Sequence, residues 1–358
     1  MKKLTLIGCV ALTLTGCGHN FGPNMVRETH PSYNEAIANT LNEQLLVNIV
    51  RMRYRDNPCF LDIESITSTY EMSTNVGFNA SVPEGDSNTY TFPGFSLSVS
   101  DKPTVTYKPL EGTSFITKML RHMQQPIVVH LMQSGWNADR VLMLCVERVN
   151  DVFNFPEASG PTPAMAPDCQ KFKRAVEILR DFQKQHMMSV GLQSNVNFPK
   201  QALEFYPSDA TQGELKEFKS ILGLSPDLNQ FKIDTDFLDR SPKTLTFRFR
   251  SVLGMLFYMS QTVEVPKADV EKGLVNVTKN ADGTPFDWNQ LIGQYFKVKV
   301  SDSKPDNAFA RVYYRGHWFY VADNDLDSKT TFLFMTQLFS LQSGDVKDAS
   351  PILTIPVR

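Results

Sequence analysis

Tyr70-Glu-Met-Ser-Thr-Asn-Val-Gly-Phe-Asn-Ala-Ser-Val82 alternates without a break. Even positions carry Tyr70, Met72, Thr74, Val76, Phe78, Ala80 and Val82; odd positions carry Glu71, Ser73, Asn75, Gly77, Asn79 and Ser81. A period of two predicts a strand with one apolar face. Pro83-Glu-Gly-Asp-Ser-Asn88 reads as a turn. The return segment sets Tyr90 and Phe92, then Phe95, Leu97 and Val99, in alternation. Its apolar parity changes at Pro93-Gly94, as a bulge would make it. A further short strand is expected at Thr104–Tyr107, behind Pro103.

Helical spacing surrounds this β-rich stretch. Ile37, Leu41, Leu45, Ile49 and Met52 predict a helix from Ser32 to about Arg55, stopped by Asn57-Pro58. Downstream, helices are expected at 114–123, 126–133 and 138–151. Residues 154–167 hold four prolines and read as a loop or linker. Phe172, Val176, Leu179 and Phe182 predict a helix to about His186, with Asp168 as its cap. Strands are then expected at 189–198, 202–206, 229–233, 244–249, 295–300, 308–314, 317–322 and 352–356. Helices are expected at 212–222, 250–261 and 327–341, and a polar loop over 267–287. The fold class is α+β: an N-terminal helical part with a β-hairpin, and a C-terminal mixed part. The expected division is 32–153 and 168–358, with 154–167 between them and 17–31 as a tether.

Composition narrows the function classes. The chain has 358 residues, 42% hydrophobic and 21% charged, with a net charge of −2. It has a core to bury and no basic surplus to attract nucleic acid. Five cysteines are too few for a disulfide scaffold. The six histidines form no zinc-like spacing, so no metal or cofactor is expected. Cys145 lies in an apolar run and reads as buried, whereas Cys59 and Cys169 follow loop-like residues and form the candidate disulfide, with no bridge as the alternative.

The first residues carry a second kind of signal. Lys2 and Lys3 precede the apolar run Leu4–Leu14, which is too short to span a bilayer. Leu14-Thr15-Gly16-Cys17 follows. This order resembles the signal peptide and lipobox of bacterial lipoproteins. The resemblance implies that residues 1–16 are removed and that the Cys17 thiol carries diacylglycerol, with further acylation at the new amino terminus. Gly18 in place of Asp implies transfer to the outer membrane, facing the periplasm. Each buried methylene adds about 0.8 kcal/mol, so several acyl chains anchor firmly where one would not. Residues 312–341 also resemble stretches of bacterial lipoproteins that have no assigned role.

No G-x-S-x-G, phosphate-cradling loop or H-E-x-x-H occurs, so the balance falls against an enzyme. A candidate ligand surface is formed by Arg315, His317, Trp318, Asp323, Asp325 and Asp327. Arg and aromatic residues suit a sugar or peptide platform, and the acids suit a hard cation. The alternative for the first three is strand core. For the acids it is a cap on the helix near Ser328, because the calcium-loop pattern fails at Ser328 and Phe334.

The expected role is therefore structural or accessory in the cell envelope, with envelope proteins or further copies as partners. The second reading uses the hairpin at 66–107 as part of an oligomeric outer-membrane channel. Arms of 11 residues, Met72–Val82 and Thr89–Val99, match a membrane-spanning strand. The plan is similar, in architecture alone, to the lipid-anchored channel of curli secretion. The competing reading packs the hairpin on the helix at 32–55. A third reading is an envelope hydrolase or glycan binder on the 311–327 surface.

Overall fold

The computed structural model describes residues 21–77, 94–166, 168–193, 200–238 and 241–343. The expected strand at 352–356 and the hairpin turn at 83–88 lie outside them. The chain divides into a body, residues 1–58 with 112–358, and a second unit, residues 59–111.

In the body, helix α1 spans Phe21–Arg53. It begins earlier than the hydrophobic spacing predicts and takes in part of the expected tether. Pro23 falls in its first turn, where no intrahelical acceptor is needed, while Pro31 lies inside and removes one backbone donor. The last turns drive the packing: Leu46, Ile49 and Val50 are fully buried and Leu45 and Met52 nearly so. After the hairpin come α2 (Thr113–Leu120), α3 (Gln125–Gln133) and α4 (Ala138–Cys145).

The main sheet has six strands, in the order β4-β3-β8-β7-β6-β5. These are β3 (Val146–Val149), β4 (Val152–Phe153), β5 (Met188–Gln193), β6 (Lys200–Phe205), β7 (Gln230–Asp234) and β8 (Thr244–Phe249). Only the β7–β8 pair is parallel. Two helices, α5 (Gln170–Lys184) and α6 (Gln212–Leu222), bring Phe182 and Phe218 against Phe205, each pair of rings 5.3 Å apart and edge-on. The four apolar residues expected on α5 are buried as their spacing requires. Its N-cap is Cys169, with no side-chain cap bond, so Asp168 does not cap it.

Pairing of β3 with β8 corrects two expectations. Residues 146–149 are strand where apolar spacing continues the helix of 138–151, because Val146 turns extended and pairs with Phe249. The division at 154–167 also disappears, since one sheet draws strands from both sides of it. Three of its residues, Asn154, Ala158 and Thr162, reach the core. Asn154 is fully buried and donates to the carbonyls of Met143 (2.8 Å) and Val146 (2.7 Å).

Arg250, fully buried at the end of β8, ties this segment down. Its guanidinium donates to the Asn154 carbonyl and to Ser159 Oγ (2.9 Å), and lies 4.1 Å from the Tyr258 ring centroid. Ser159 in turn donates to Glu147 (2.5 Å). Burial pushes the Arg250 pKa down. Helix α7 (Val252–Ser260) starts there, capped by Ser251 Oγ accepting from the Gly254 amide. Val252, Met255, Leu256, Tyr258 and Met259 are fully buried, as a short helix apolar on all sides must be. Among the described residues no helix is long and apolar enough to cross a membrane.

The rest of the body is a short helix α8 (Lys267–Glu271) within the expected polar loop, a three-stranded sheet and a last helix, α9 (Leu326–Ser343). The sheet has the order β10-β11-β9, with β9 at Lys299–Ser301, β10 at Ala308–Tyr314 and β11 at His317–Ala322. Arg140 of α4 is bonded to Asp327 of α9 at 2.6 Å.

Cys59 is exposed and lies in the second unit, whereas Cys169 is buried in the body. Burial, helped by Asp168, pushes the Cys169 thiol up to about 11. Cys145 is buried as expected, and its thiol is pushed up to about 12.

Arg250→Leu should cost about 3–5 kcal/mol, because it leaves the Asn154 carbonyl and Ser159 Oγ without their donor and removes the positive charge beside buried Glu147. The check is the denaturant midpoint of the purified chain; an unchanged midpoint would show that the network adds nothing.

Candidate functional site

The second unit is one antiparallel ribbon of β1 (Leu61–Gly77) and β2 (Gly94–Pro109). Its strands of 17 and 16 residues are longer than the expected arms. The separate strand expected at Thr104–Tyr107 is instead continuous with β2, through Pro103. Proline is admissible there because each strand of a two-stranded ribbon has an open edge. The base is closed by the Leu110 amide donating to the Phe60 carbonyl at 2.9 Å.

Register explains the sequence pattern. Directly opposed residues of an antiparallel pair share a face. One face receives Leu61/Pro109, Ile63/Tyr107, Ile66/Val105, Ser68/Pro103, Tyr70/Asp101, Met72/Val99, Thr74/Leu97 and Val76/Phe95. The other receives Asp62/Lys108, Ser65/Thr106, Thr67/Thr104, Thr69/Lys102, Glu71/Ser100, Ser73/Ser98, Asn75/Ser96 and Gly77/Gly94. The first row is mainly apolar and the second is polar up to its closing glycine pair.

A register shift between Ile63 and Ser65 makes this possible. Glu64 is the extra residue of a bulge. Without it, Leu61 and Ile63 would fall on the polar face. Near the base the apolar row meets solvent: Tyr107 is 52% exposed and Val105 36%. Among the described residues neither β1 nor β2 pairs with any third strand.

The surface singled out in the C-terminal sequence is built differently. Arg315 and Gly316 form the two-residue turn between β10 and β11, with φ of 49° and 89°. Positive φ at both positions is the hairpin geometry that glycine tolerates and arginine does not readily adopt. The arginine is held there by Asp56: Nη2 donates to Oδ2 at 2.8 Å, and Tyr314 Oη donates to the same oxygen. The guanidinium also lies 5.0 Å from the Tyr54 ring centroid. Tyr54 Oη donates to buried Asp269 at 2.8 Å, and burial raises its pKa, reinforced by that bond. The neighbouring Arg53, lowered to about 10 by burial, donates to Thr162 and to the Asn276 carbonyl.

The other candidates are also engaged within the body. His317 Nδ1 is 2.9 Å from Asp302, and Trp318 lies 5.2 Å from the Tyr313 ring. Asp323 accepts from Lys329 at 2.7 Å, and Asp327 from Arg140. Asp325 caps α9, accepting from the Ser328 amide at 3.0 Å and its hydroxyl at 2.8 Å. The structure thus joins Arg315 to Asp56 rather than to His317 or the acids. A cleft of 240 Å³ lies elsewhere, beside Arg148, Phe237 and Thr246. It is smaller than ordinary ligand pockets, and Arg148 is already bonded to Asp151 and the Asn150 carbonyl. Among the described residues no group of three His, Cys, Asp or Glu side chains is placed to hold a metal.

Compared with protein-family models, with curated proteins and with solved structures, the chain finds no match in any of the three.

Burial alone would raise the Asp56 pKa, but hydrogen bonds from Tyr314 and Arg315 outweigh it and hold the carboxyl below its usual value. A carboxyl depressed by folding stabilises the fold above its unfolded pKa, and that gain is lost as pH falls through the folded value. Asp56→Asn should therefore be less stable than wild type above about pH 5, with the gap closing below about pH 3. Denaturant midpoints across this range test it; a gap independent of pH would contradict the ion pair.

Proposed function

We propose that this chain is a lipid-anchored protein of the cell envelope, held at the outer membrane through Cys17 and facing the periplasm, with a structural or assembly role. The hairpin β1–β2 is the element through which it assembles. The lipobox-like Leu14–Cys17 motif supports the anchor; it lies outside the described residues.

One observation supports the assembly role above the others. A two-stranded ribbon is marginal in water by itself, yet this one is 17 residues long, two-faced and open at both edges among the described residues. Long open edges invite pairing with another chain, and folds that avoid it shorten, charge or cover them. A hydrolase or glycan-binding role draws no comparable support, because the residues of the 311–327 surface serve turns, caps and ion pairs.

Cys17→Ser should move the protein from the membrane fraction to the soluble fraction and abolish fatty-acid labelling. Retained labelling of that variant would sink the anchor. Replacing residues 61–109 with a short Gly-Ser linker should leave the thermal transition of the body within a few degrees of wild type, while chemical crosslinking into larger assemblies is lost. Crosslinking that survives the replacement would remove the hairpin from the assembly role.

A further inference from the structure

The envelope reading leaves open what pairs with the hairpin edges. Charge and length along the two arms bear on this. No Asp, Glu, Lys or Arg occurs in 72–82 or 89–99. Charges return at Glu71, Asp101 and Lys102 on one side, and at Glu84 and Asp86 in the segment joining the arms. Each charge-free stretch has 11 residues in sequence, of which 72–77 and 94–99 lie in the described strands; a tilted strand needs about 9–11 to cross a bilayer. Tyr70 stands opposite Asp101, where the charge-free stretch ends. Aromatic residues beside charges mark the boundary between lipid and water.

Resting on the envelope reading, we infer that the hairpins of several copies of this chain close edge to edge into one transmembrane β-barrel, with the Met72, Val76, Phe95, Leu97 and Val99 row toward lipid and the Ser73, Asn75, Ser96 and Ser98 row toward a wet lumen. The physical reason is backbone satisfaction. Lipid supplies no hydrogen-bond partner, so a strand can cross a membrane only within a closed barrel. A single ribbon has two unsatisfied edges. The β2 of one copy beside the β1 of the next is antiparallel, so repetition extends the same sheet until it closes. Two strands per copy give the even strand number typical of such barrels.

Size follows from the same geometry. A barrel of about eight strands is filled by its own side chains, whereas about sixteen leave an aqueous channel. A wet lumen therefore requires more than four copies, and about eight give the width of an aqueous channel. The described lumen row is hydroxyl and amide, with Glu71 and Lys102 as one acid and one base toward its end. The solutes such a passage admits are small and polar, without strong selection by charge. Bulge residue Glu64 keeps Leu61 and Ile63 on the apolar row below the lipid, where the contact is with protein of the assembly.

The test uses the full lipid-anchored chain with Cys59→Ser, so that the remaining cysteines of the body are the buried ones. Single cysteines are introduced along both arms, and native membranes are treated with a membrane-impermeant maleimide. Ser73→Cys, Asn75→Cys, Ser96→Cys and Ser98→Cys should label. Met72→Cys, Val76→Cys, Leu97→Cys and Val99→Cys should label at least tenfold less until the protein is denatured. Purified wild type should also give stepwise conductance in planar bilayers that the 61–109 replacement lacks. If the chain is anchored but both parities label alike, or pair with a different protein's sheet, the barrel is wrong and the envelope reading stands. If the chain is absent from membranes, both fail together.

Discussion

Each strand of a two-stranded ribbon makes its ladder bonds on one side only. The opposite edge and both faces must find partners elsewhere. In this protein that constraint falls on residues 61–109, where no third strand is supplied among the described residues. The cost grows with length, and β1 and β2 are long for strands of ordinary domains. A soluble sheet meets the need by stacking a core on one face. A membrane barrel meets it by closing the edges and giving one face to lipid. The continuous polar row opposite the apolar one is what the second solution requires.

The body is tied together by buried polar networks. Arg250 and Glu147 are buried against the 154–159 segment and share Ser159, whose hydroxyl accepts from Arg250 and donates to Glu147. At the chain's entry to the hairpin, Asp56 is locked by Tyr314 and Arg315, and Tyr54 by Asp269. These bonds fix the residues just before Cys59 to the β10–β11 turn and to α8. The Arg and aromatic residues that look in sequence like a ligand platform are thereby explained as anchoring points within the body.

Much of this was legible from residue order. Period two marked the hairpin, helical spacing marked the buried face of α5 and of the last turns of α1, and the acids before Ser328 read as a cap, which Asp325 supplies. The failures share a cause: each depended on a partner distant in sequence. Residues 146–149 are helix by local pattern and strand because β8 lies beside them. The proline-rich 154–167 looked like a linker because nothing local announces Arg250, nearly a hundred residues on. The parity change at Glu64 passed unseen, since a bulge is defined by the opposite strand. Asp56 carried no signal near Arg315, from which it is separated by most of the chain.

The central claim is that copies of this chain meet through their hairpins in a membrane. The most direct measurement is electron microscopy of full-length protein extracted from its native membranes in mild detergent. The account predicts closed rings of more than four copies, with a β-barrel of two strands per copy along the ring axis. Monomers alone, or rings whose hairpins lie apart from one another, would contradict it.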